Sequence, residues 1–137
     1  MTTEQARLCV ARGRAYDLLG SALLDGLRDD RMAHFRAVPA LAAHIEPTPD
    51  PDTWAAAHHT AFALEVPPFQ SAFLSESGQM DDGDSVRGAY ARGGFGGTRP
   101  DVPADHAGTA MQYLSCCLLY TSPSPRDATL SRMPSSA

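Results

Sequence analysis

Leu8, Ala11, Ala15, Leu18, Leu19, Ala22 and Leu23 recur at steps of three and four residues. That is the period that keeps one face of an α-helix apolar. Arg7, Arg14, Asp17 and Asp25 fall mostly off that face. Ahead of it, Thr2-Thr3-Glu4-Gln5 resembles a capping box, in which side chains satisfy the free N–H groups of a helix start. The pattern predicts a helix over residues 4–27 with its leucine face packed in a core. A chain of 137 residues holds one domain around such a helix. No stretch alternates with the two-residue period of a half-buried strand, so the expected fold class is all-α, a single helical bundle.

Prolines divide the rest. A second helix is expected from Asp30 to His44, with Met32, Phe35, Leu41 and Ile45 inward and Pro39 kinking or ending it. After the loop 46–52, Asp50 and Pro51 form an N-cap and first turn for a third helix over 51–64, which carries Trp54, His58, Phe62 and Leu64. Pro67-Pro68 stops it, because proline lacks an N–H and clashes backwards. The apolar stretch 69–74 follows, then a polar turn from Ser75 to Gly83. A short helix over 84–92 should turn Val86, Ala89 and Tyr90 inward, and the glycines of 93–97 end it. A last helix should begin near Ala104 and bury Met111, Tyr113 and Leu114.

Composition removes several function classes. Arginine supplies all 11 basic side chains against 16 acids, for a net charge of −5. An acidic chain without a basic stripe is poorly suited to a phosphate backbone and better suited to a basic peptide, so no nucleic acid is expected. No apolar run approaches the ~20 residues that span a bilayer, and the N-terminus does not read as a signal peptide, so no membrane insertion is expected and the default address is the cytoplasm. Three cysteines, Cys9, Cys116 and Cys117, make no disulfide framework.

Catalytic signatures are missing. His58 and His59 are adjacent, so on a helix they point ~100° apart and serve one metal poorly. Neither H-E-x-x-H nor C-x-x-C occurs, and no G-x-S-x-G either. The glycine run 93–97 lacks a following Lys-Ser/Thr and reads as linker rather than phosphate cradle. The expectation is no metal, no cofactor and no enzyme. Two features carry more. In Val66-Pro-Pro-Phe-Gln-Ser-Ala-Phe-Leu74, rigid prolines either close a buried loop or hold Phe69, Phe73 and Leu74 at the mouth of an apolar groove. Asp105-His106 either places an acid in a first helical turn or sets a fixed carboxylate beside an imidazole as an acceptor for a guanidinium.

The run Cys117-Leu-Leu-Tyr-Thr-Ser-Pro-Ser-Pro-Arg-Asp127 and the closing Leu130-Ser-Arg-Met-Pro-Ser-Ser-Ala137 differ in composition from what precedes them. In order and frame they resemble a translated sequencing-library adapter. The expectation is a helical domain over 1–116 and an artefactual or disordered tail over 117–137. Without that tail nine arginines face 15 acids.

Four blocks in order then resemble the TorD/DmsD family of redox-enzyme maturation chaperones. They are Arg12-Gly-Arg-Ala-Tyr16-Asp-Leu18-Leu19, Pro67-Pro68-Phe69-Gln-Ser71-Ala-Phe73-Leu74, Val86-Arg-Gly-Ala-Tyr90-Ala-Arg-Gly-Gly94-Phe95, and Pro103-Ala-Asp105-His106 opening a helix. Where the family usually carries a Glu in that last helix, this chain has Ala110 or Gln112. The resemblance implies an all-α fold, C-terminally truncated here. It implies a cytoplasmic, non-enzymatic chaperone that binds the twin-arginine signal peptide and the apo-form of a molybdoenzyme of the DMSO/TMAO reductase type during cofactor insertion, with homodimerisation open. Its peptide-binding residues would be Pro68, Phe69, Leu74, Asp105 and His106. The alternatives are a small metal enzyme or hydrolase using His58, His59 and His106, and a plain helical scaffold.

Overall fold

The computed structural model describes residues 2–48, 50–74, 84–97 and 99–120. The turn expected over 75–83 and the stretch 121–137 lie outside the described residues. Helix α1 spans Thr3–Asp25. Its capping box forms as expected: the Thr2 hydroxyl accepts the Gln5 N–H at 3.2 Å, and the Gln5 side chain accepts the Thr2 N–H at 2.8 Å. Gly26 closes it with a φ of 76°, a left-handed conformation that glycine adopts without a Cβ penalty.

The expected second helix is two pieces, α2 (Asp29–Arg36) and α3 (Pro39–Ala42). Pro39 starts the second piece rather than kinking one continuous helix, because its fixed φ suits a first helical position and it has no N–H to give the turn before. Met32 and Phe35 are buried as expected, while Leu41 and Ile45 are half-buried. Helix α4 (Pro51–His59) starts on the Asp50 cap, whose carboxylate accepts the N–H groups of Asp52 and Thr53. It continues as a wider π-helical turn over Thr60–Glu65. The last N–H before the two prolines, that of Val66, reaches back to the Ala61 carbonyl at 2.8 Å. Helix α5 is Ser71–Leu74, α6 is Asp84–Arg92 and α7 is Ala107–Tyr120. Among the described residues there is no strand, only one isolated antiparallel bridge between Phe69 and His106. The fold is all-α and forms one domain.

The main packing is α1 against α7. The face of α1 that is buried is not the leucine face. Ala6, Gly13, Gly20 and Ser21 are buried, facing Gly108, Thr109 and Ser115 of α7. At about 100° per residue this small-residue stripe lies opposite the leucines. A Cβ on Gly20 would come within 2.8 Å of the Gly108 carbonyl oxygen, and one on Gly108 within 2.8 Å of the Gly20 carbonyl oxygen. The two backbones therefore touch where both helices lack side chains. The expectation of a packed leucine face is corrected accordingly: Leu8 is 49% exposed, Ala11 and Ala15 are exposed, and Leu18, Ala22 and Leu23 are half-buried. Leu114 likewise is 43% exposed rather than buried, because α7 turns its small residues inward. Helix α7 runs on through Cys117 to Tyr120, and Leu118 and Leu119 lie over Gly13.

Candidate functional site

Helix α7 starts three residues later than expected, and the reason is the site itself. Residues 103–106 are held by neighbours before the helix begins. Tyr90 of α6 is buried, and its hydroxyl donates to the Ala104 carbonyl at 3.0 Å. Burial, with the Asp105 charge second, pushes its phenol pKa up, so it remains a donor. Its ring packs against Phe95 and Tyr113 at centroid distances of 5.4 and 4.9 Å. The block from Tyr90 of α6 to Phe95 just after it thus fixes the backbone beside Asp105.

Asp105 and His106 face the Pro-Phe loop. The Ala107 N–H donates to the Pro68 carbonyl at 2.8 Å, and the Gln70 N–H donates to the Asp105 carbonyl at 3.3 Å. One carboxylate oxygen of Asp105, Oδ2, accepts the Ser71 N–H at 2.9 Å. The Phe69 ring meets the His106 ring edge-on at 5.3 Å. Two segments 34 residues apart are therefore one seam. Its polar groups are inside it: Asp105, His106 and Ser71 are each 7% exposed. The second oxygen of Asp105, Oδ1, and the Ser71 hydroxyl are buried without a partner.

His106 is the N-cap of α7, not part of its first turn. Its Nδ1 accepts the Gly108 N–H at 2.9 Å, as a serine or aspartate oxygen does at most helix starts. An acceptor Nδ1 puts the ring proton on Nε2. Burial lowers the His106 pKa against the opposing pull of Asp105; His58 and Arg99 lower it further. The ring is neutral at pH 7. Arg99 itself is clamped by Asp101 at 2.7 Å and Asp25 at 2.6 Å, which raise its pKa.

Of the five residues expected to bind peptide, Phe69, Pro68, Asp105 and His106 come together here. Leu74 ends α5, and its side chain lies outside the described residues. Phe73, expected beside Phe69, points outward at 67% exposure. The carboxylate is not at a rim, as a ready-made guanidinium acceptor would be; its own loop covers it. Sequence reasoning missed Ser71 and Gly108 as partners. Gly108 carried a signal, standing two residues after His106, a distance over which a histidine can bond a backbone N–H; Ser71, 34 residues from Asp105, carried none.

The histidines do not converge. His58 Nε2 is paired with the Leu23 carbonyl at 3.0 Å, and its ring stacks edge-on with Phe62. His59 is exposed. Among the described residues no group of three or more His, Cys, Asp or Glu side chains is placed to hold a metal ion. No described helix is long and apolar enough to cross a membrane. Two open grooves flank α1. One of about 580 Å³ is bounded by Leu19, Leu23, Leu27, Trp54, Phe62 and Met111. The other, of about 760 Å³, lies beside α2 and includes Arg14, the Asp17–Arg31 pair and His34. No family model matches the chain, and neither a curated protein nor a solved structure matches it.

Proposed function

We propose that this chain is a peptide-binding chaperone of the TorD/DmsD type. It takes the twin-arginine signal peptide of a molybdoenzyme, and the apo-enzyme behind it, in the cytoplasm while the cofactor is inserted before export. One observation carries the reading. The Pro-Phe loop and the Asp-His pair, which the family resemblance names together, are hydrogen-bonded neighbours. A twin-arginine peptide has a basic start and a mildly apolar middle. The seam holds one carboxylate, under its own loop, beside aromatic and prolyl surface, and the acidic excess of the chain speeds capture of a cation at low salt. No bond is made or broken, so the activity asks for no nucleophile, metal or cofactor.

Calorimetric titration with a synthetic twin-arginine peptide tests this. The useful variant is Asp105→Asn, which keeps an oxygen for the Ser71 N–H and removes the charge. Charge-assisted hydrogen bonds contribute about 1.5–3 kcal/mol, so the variant should bind roughly ten- to a hundredfold more weakly. A twin-lysine peptide should lose most of the affinity, because lysine cannot make the planar two-donor contact. Equal binding by wild type and Asp105→Asn would remove Asp105 from the site, and no binding by the wild type or by a folded variant that frees the Asp105 carboxylate would end the reading.

A further inference from the structure

We infer that the loop 67–71 is an internal occupant of the Asp105 carboxylate, displaced when an arginine side chain binds. The inference rests on the chaperone reading above and states how that site is regulated.

The carboxylate is only half used. Oδ2 accepts the Ser71 N–H, while Oδ1 and the Ser71 hydroxyl are buried without partners. An acceptor buried without a donor costs free energy that the same group would not lose in water. A guanidinium presents two parallel donors, which match both oxygens of one carboxylate. The closed seam therefore supplies one donor where an arginine supplies two.

What holds the loop down is limited. Among the described residues, three hydrogen bonds, from the N–H groups of Ser71, Gln70 and Ala107, and one ring edge between Phe69 and His106 cross the seam. Pro67 and Pro68 have no N–H to add. Apolar burial does not anchor the flanks, since Val66 is 55% and Phe73 67% exposed. The opposite wall is fixed: Tyr90 holds the Ala104 carbonyl, and the Gly108 N–H holds the His106 ring. The wall is also packed on the Tyr90, Phe95 and Tyr113 rings and runs directly into α7, whereas the loop is exposed at both flanks, so opening moves the loop. On opening, the Ser71 N–H passes to water and the guanidinium donates to both carboxylate oxygens. Binding is then weakened by the fraction of molecules that are closed.

Amide hydrogen exchange of the full chain, followed by NMR at Ser71, tests the exchange of partners. The Ser71 N–H should be protected in the free protein and lose that protection when the twin-arginine peptide saturates the site, with no change on adding the twin-lysine peptide. Ser71→Pro removes the competing donor at a first helical position, where proline is tolerated; it should bind the twin-arginine peptide at least tenfold more tightly. Peptide binding that leaves Ser71 protected, or a folded Ser71→Pro with wild-type affinity, would overturn the latch and leave the chaperone reading standing. Binding by Ser71→Pro alone would establish the latch as closed in the wild type. Binding by neither protein would end both ideas. If Ser71→Pro fails to fold, exchange at Ser71 in the wild type still decides.

Discussion

The two long faces of α1 are treated in opposite ways. The stripe of Ala6, Gly13, Gly20 and Ser21 carries little apolar side chain of its own, with Leu24 beside it over Gly108, and is buried against α7. The leucine stripe is the apolar one, and it is half-open, bounding two grooves. Hydrophobicity alone orders them the wrong way. Two helices that meet through glycine bring backbone onto backbone, with many close contacts and few side chains to order. Leucines hold a neighbour farther off, and here α2 and α4 cover them only in part. The small face sets where the helices go, and the leucine face takes what cover remains.

The largest effect should follow from breaking the close face. Gly20→Val places a branched side chain where a single Cβ already lies 2.8 Å from the Gly108 carbonyl oxygen. Overpacking of this kind costs ~1–3 kcal/mol, and more where backbone must move. Thermal unfolding should show a fall of many degrees or no cooperative transition. Gly13→Ala is the control. Its Cβ would meet the Leu119 side chain at 2.9 Å, and that side chain can turn away. Equal losses in the two variants would mean that the α1–α7 approach is not set by the Gly20–Gly108 contact.

The same contrast explains what could be read beforehand. Elements that begin or end on local chemistry were legible: the Thr2 capping box, the Asp50-Pro51 start, the Pro67-Pro68 stop and α6 over Asp84–Arg92 all stand where turn and cap rules put them. The choice of face on α1 was not, because periodicity reports which side is apolar and says nothing of which side a partner can approach closely. The site was half legible. The four residues Pro68, Phe69, Asp105 and His106 meet, but that Asp105 would turn inward to the Ser71 N–H depends on a contact 34 residues away. Asp105 and His106 lead into α7 rather than form its first turn for the same reason: the backbone around them is bonded to Tyr90 at Ala104 and to the loop at Asp105 and Ala107.

A smaller effect should come from the seam as pH falls. The His106 pKa is lowered by burial, so the unfolded chain takes up its proton more readily than the folded one. The sign follows: His106 contributes stability that is complete above the unfolded value of about 6.5 and is lost as pH falls below it through the folded value. Protonation of Nδ1 would also set two donors face to face, the ring N–H and the Gly108 N–H. His106→Asn keeps an N-cap acceptor and removes the titration. Urea unfolding at several pH values between 7.5 and 5.5 should show a decline in wild type that the variant lacks. Parallel curves would show that the seam does not respond to His106.

The smallest effect is expected on the open face. Leu8 is 49% exposed, so Leu8→Ser removes little buried area and should change stability by no more than about 0.5 kcal/mol. It should also reduce self-association in sedimentation runs at high concentration, because exposed apolar stripes are where copies of a chain stick together. The informative failure is a large one. A loss of ~2–5 kcal/mol, the cost of truncating a buried leucine, would mean that the leucine stripe is covered in solution. The contrast between the two faces of α1 would then be one of partners, α7 on one side and another surface on the other, rather than of closed against open.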